Sequence, residues 1–126
     1  MREDYVPFYV RKDDRIAFLA CLALGTLYAI RQGVLPAEAG IWTLGRPQVR
    51  APLEHEPGVP AGLIEVLSTS DELDAIKTAL PHEFEAIMDK LIARLETVLA
   101  STGQPYWLAG WSLPPGDESS PLDEPT

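Results

Sequence analysis

Residues 81–102 read PHEFEAIMDKLIARLETVLAST, and the fold is decided by how this stretch is read. Phe84, Ile87, Met88, Leu91, Ile92, Leu95, Val98 and Leu99 recur at helical spacing, within an arc of roughly 140° when each residue advances about 100°. One face is therefore apolar and needs cover. Pro81 suits a first helical turn, where its missing N–H costs nothing, and Gly103 suits the stop, so a helix is expected over about 82–101. Glu85, Asp89 and Glu96 fall along one edge of the stripe, and Lys90 and Arg94 lie beyond the other. Flanks of opposite charge can orient a helix against charged neighbours, although solvated charges contribute little on their own.

Working outward, Asp13 or Asp14 suits an N-cap and Gly33 a C-terminal stop, which predicts a helix over 13–32. Its apolar positions run nearly all round, as expected of a central helix enclosed by others. Pro36 opens a short helix to Leu44. Residues 45–60 hold four prolines and two glycines and read as an irregular connector. A helix is expected over 60–68, and Thr69-Ser70-Asp71-Glu72 has the spacing of a capping box opening another over 70–79. The arm 1–12 carries Tyr5, Phe8 and Tyr9 around Pro7 and is expected to lie on the core. Tyr106, Trp107, Leu108 and Trp111 are too apolar to leave in water, so 104–113 should dock on the helices. The acidic, proline-rich residues 114–126 should be disordered. The reading is one all-α domain over 1–113, a compact bundle of about five helices around a central apolar one.

A chain of 126 residues is one domain's length and can bury a real core. Nineteen acids against ten bases give a net charge of -9, which opposes binding to nucleic acid or to an anionic membrane and favours a basic protein as partner. The apolar run Ile16–Ile30 is too short to span a bilayer, which takes roughly twenty residues. Cys21 stands alone and cannot form an internal disulfide, and the acids Asp13 and Asp14 before the apolar run disfavour a signal peptide. Cytoplasmic residence is the expectation.

Chemistry is sparse. His82 and Glu85, three apart at the head of the last helix, could touch one metal ion, but a di-iron bundle needs two such pairs and further glutamates, and His55 lies in the connector. Cys21 sits in an apolar helix with no cation or base in adjacent turns, so it reads as an inert buried side chain. Ser68, Ser70 and Ser101 stand at helix ends, where capping accounts for them. No phosphate-binding glycine pattern is present, and neither a metal nor a cofactor is expected. Charge is the informative signal: residues 1–53 hold seven bases and five acids, 54–102 three bases and ten acids, and the remainder four acids and no base. Such halves could meet within one chain, meet in a dimer, or leave an acidic docking surface.

Ala29-Ile30-Arg31-Gln32-Gly33-Val34-Leu35 with Glu38-Ala39, then Leu44 before a proline, Leu63-Ile64-Glu65, and Glu72-Leu73-Asp74-Ala75-Ile76 ahead of Leu80-Pro81, resemble a family of small, acidic, all-helical bacterial proteins of unknown function, over about 12–100. The resemblance implies an all-helical fold and supplies no catalytic residue. Small acidic proteins of this kind are similar to immunity or antitoxin proteins, which neutralise a basic toxin by occupying its surface. The expected function is thus a non-enzymatic bacterial binding protein of immunity or antitoxin type, holding a basic partner at Glu65, Asp71, Glu72, Asp74, Glu85 and Asp89. The alternatives are a homodimer whose central or last helix completes a shared core, and a metal-dependent helical enzyme using His82 and Glu85.

Overall fold

The computed structural model describes residues 8–103 and 109–111. In chain order it holds a strand β1 (Phe8–Val10), a 3-10 turn (Lys12–Asp14), helices α1 (Arg15–Arg31), α2 (Ala39–Thr43), α3 (Pro47–Glu54), α4 (Ala61–Ser70), α5 (Leu73–Ala79) and α6 (Pro81–Thr102), and a strand β2 (Ala109–Trp111). The fold is all-α. No helix among the described residues is long and apolar enough to cross a membrane.

The hub is α6. Pro81 occupies its first turn, and Gly103 ends it in the left-handed region at φ 67°. Its stripe buries Phe84, Met88, Leu91, Ile92, Leu95 and Val98, with Ile87 and Leu99 packed at the margins. That face is wide enough to meet α1, α4 and α5 together.

Helix α1 spans what its caps predict but is not enclosed. Ala17, Ala20, Ala23, Thr26, Leu27 and Ile30 are buried, and the small side chains let its backbone come close to α6. The opposite face is open: Leu22 and Tyr28 are exposed, as is Gly25, and Cys21 is half-buried where a buried side chain was expected. An apolar composition all round did not give an enclosed helix because the other helices gather around α6. Asp14 holds the N-cap position without a capping hydrogen bond. At the far end Gly33 turns at φ 76°, and the amides of Val34 and Leu35 donate to the Ala29 carbonyl at 2.9 and 3.1 Å.

Other expectations are corrected as well. The connector 45–60 contains a helix, α3, because Pro47 sits at its first position after extended Arg46, where a proline does no harm. Only Pro52 lies inside α3; buried Leu53 and the Arg50–Glu54 pair hold the rest. The capping box at Thr69–Glu72 does not form, and α4 runs through Ser70. The fully buried Ser70 hydroxyl donates to the Val66 carbonyl at 2.8 Å, and Ser101 likewise donates to Val98 within α6, so neither caps a helix start. The short second helix begins at Ala39, three residues after Pro36.

Two segments far apart in the sequence meet. β1 and β2 pair antiparallel, with Phe8 opposite Trp111, Tyr9 opposite Gly110 and Val10 opposite Ala109. The described part of 104–113 thus joins the N-terminal arm as a strand; the remainder of that segment and the tail 114–126 lie outside the described residues.

Candidate functional site

The two charged edges of α6 find opposite charges on different neighbours. On one side, Arg31 at the end of α1 reaches Asp89 (Nη2–Oδ1 2.6 Å) and Glu85 (Nε–Oε2 3.5 Å). On the other, Arg94 reaches Glu65 of α4 at 3.2 Å. Arg15, at the head of α1, reaches Glu56 at 2.9 Å. The base-rich and acid-rich halves therefore meet within one chain. All these groups are partly exposed, so each pair contributes at most about 1 kcal/mol. Replacing Arg31 by glutamine, which removes its charge, should accordingly cost less than about 1 kcal/mol, and less still in high salt. Thermal melts at two ionic strengths check this; a salt-insensitive loss of several kcal/mol would contradict the surface geometry.

This pairing divides the six predicted partner-binding acids. Glu85 and Asp89 turn toward α1, while Glu65 stands on the α4 flank of α6, across the helix from them. Asp71 and Glu72 form the α4–α5 turn and Asp74 stands in the first turn of α5, all exposed and without an ion pair among the described residues. The turn is held by close contact: a Cβ at Gly45 would lie 2.7 Å from the Asp71 nitrogen. The six acids therefore form no single surface, and the three without an ion pair among the described residues are those where α4 meets α5. Which acid faces which base could not be read from the chain, although the two edges of α6 were visible on its wheel.

His82 and Glu85 are both exposed on α6, and Glu85 is taken up by Arg31. No group of three or more histidine, cysteine, aspartate or glutamate side chains capable of holding a metal occurs among the described residues. A groove of about 480 Å³ lies between α4 and α6, bordered by Pro60, Gly62, Lys90, Arg94, Thr97 and Ser101. Its hydroxyls donate to helix carbonyls, Thr97 to Ala93 at 3.1 Å and Ser101 to Val98 at 2.7 Å, and Arg94 is held by Glu65. That arrangement offers no paired acid and base.

One feature escaped the sequence reading. Large exposed apolar side chains gather between residues 22 and 42: Leu22, Tyr28, Val34, Leu35 and Trp42, with Val34 77% and Trp42 65% exposed. For Leu22 and Tyr28 the signal is the unbroken apolar run of α1, which holds more apolar side chains than one buried face can take.

Against family models, curated proteins and solved structures, the chain finds no match.

Proposed function

We propose that this chain is a non-enzymatic protein-binding protein acting in the cytoplasm, an immunity-type or antitoxin-type protein that holds a basic partner against its acidic side. The observation that supports the reading is the α4–α5 junction, where Asp71, Glu72 and Asp74 face solvent while the bases Arg15, Arg31, Arg50 and Arg94 are engaged within the chain. A net charge of -9 then acts outward, attracts a basic surface and speeds encounter with it. The resemblance to small acidic helical proteins belongs to the same proposal.

The test is binding to the basic protein encoded beside this chain's own reading frame. Co-purification in low salt is expected, with affinity falling steeply as salt rises. Asp71→Asn, Glu72→Gln and Asp74→Asn combined should weaken binding at least about tenfold, with the melting temperature kept within a few degrees because all three are exposed. Binding that survives the triple change would move the site elsewhere; no binding even in low salt would end the reading.

A further inference from the structure

We propose that the open face of α1, continued by the α1–α2 loop and Trp42, is where two copies of this chain associate about a two-fold axis. The face is built by helical spacing. Leu22, Gly25, Tyr28, Ala29 and Gln32 fall within an arc of roughly 120°, opposite the side α1 turns to the core. Between Arg15 and Arg31 the helix carries no charge at all, and both arginines are held by acids of the same chain. Such a strip in water is the unusual feature: it is long, apolar and partnered by no helix among the described residues.

Its centre is low. A Cβ at Gly25 would meet nothing within 4 Å, so a second backbone can approach there more closely than at any leucine. The strip continues past the end of α1, because Val34 and Leu35 are tied by their amides to the Ala29 carbonyl. A 17-residue helix is only about 25 Å long, so α1 alone offers less than the roughly 800 Å² per partner that a stable interface takes. Exposed Val34, Leu35 and Trp42 follow α1 in the chain, and in the proposed contact they supply the further area; Trp42, with the Arg46 guanidinium 5.8 Å from its ring centre, is the kind of side chain that anchors interfaces.

Charge selects the occupant. A basic partner is drawn to residues 54–102, which hold three bases and ten acids, and gains nothing at an uncharged strip in the base-rich half. Two copies of so acidic a chain repel through every acidic face. Meeting through α1 places both acid-rich halves outward and brings together identical apolar faces that carry no charge between Arg15 and Arg31, as a two-fold contact requires.

The experiment uses the full chain, with light scattering and sedimentation across micromolar concentrations. About twice 13.8 kDa is expected, dissociating on dilution. Leu22→Glu and, separately, Tyr28→Glu should each raise the dimer dissociation constant at least about tenfold, because each brings a charge into an apolar contact. Two variants keep the test valid should one of them misfold, and circular dichroism identifies which is folded. In a Cys21→Ala background, Gly25→Cys should form an intermolecular disulfide under mild oxidation, since the bond needs Cα atoms within about 7 Å, whereas Glu96→Cys, exposed on α6, should not. A 13.8 kDa species at every concentration overturns the proposal. In that case a lower melting temperature for Leu22→Glu assigns the strip to cover by the chain itself, and an unchanged one assigns it to a different protein. A dimer indifferent to both glutamates also overturns it.

Discussion

Leu95→Ala is expected to destabilise the protein by about 3–5 kcal/mol, the upper part of the range for truncating a buried leucine. Leu95 is fully buried on α6, the helix that α1, α4 and α5 all pack against. A cavity there is walled by α6 and the helices around it, so no one element can slide in to fill it without leaving its other contacts. For a domain of this size the loss corresponds to a melting temperature lower by more than about 10 °C. Leu80→Ala, at a side chain about half exposed where α5 meets α6, should cost under about 1 kcal/mol. Denaturant unfolding of the two variants decides the matter. Equal losses would mean that α6 is not the hub, and the account of the core would fail with it.

The stripe of α6 was legible because a long helix with one apolar face, a proline at its start and a glycine at its end leaves few alternatives. The all-α class followed from it. What could not be read was which helix stands in the middle. α1 is the more apolar by composition, yet it turns Ala17, Ala20 and Ala23 inward and leaves Leu22 and Tyr28 outside. Composition reports how apolar a helix is, and only packing decides which of its faces find neighbours. Prolines misled for a related reason: Pro47 counted as a breaker although its position makes it a helix starter, so α3 was missed. The false capping box shows local grammar yielding to burial, since Ser70 and Leu73 are both fully buried and fix the turn between them. At the candidate site, the acidic excess was plain from composition. That Glu65, Glu85 and Asp89 would be matched by Arg94 and Arg31 depends on contacts between α1, α4 and α6 that no local pattern encodes.

Gly45→Ala is expected to destabilise the protein by about 2–3 kcal/mol or more, through overlap and not through backbone freedom. A Cβ at Gly45 would stand 2.7 Å from the nitrogen, 2.8 Å from the Cα and 2.9 Å from the Cβ of Asp71. Two of those atoms are backbone, so no rotamer change removes the clash; the α4–α5 turn itself has to move. Gly40 makes the companion contact, its added Cβ lying 2.8 Å from the Ser70 carbonyl oxygen and 3.0 Å from a Leu73 methyl that can partly give way, so Gly40→Ala should cost somewhat less. The two glycines are joined by a 2.8 Å hydrogen bond from the Gly45 amide to the Gly40 carbonyl, which makes the end of α2 a single seat for the turn. Gly62→Ala is the control, since its Cβ would meet only a Val98 methyl at an ordinary 3.6 Å, and a helical alanine there should be neutral or slightly stabilising. Equilibrium unfolding should rank the losses Gly45, then Gly40, then Gly62; equal behaviour at Gly45 and Gly62 would show that the α4–α5 turn does not rest on α2. Because Asp71, Glu72 and Asp74 are carried by that turn, a folded Gly45→Ala variant should also bind a basic partner more weakly than the original chain, although no charge has been changed.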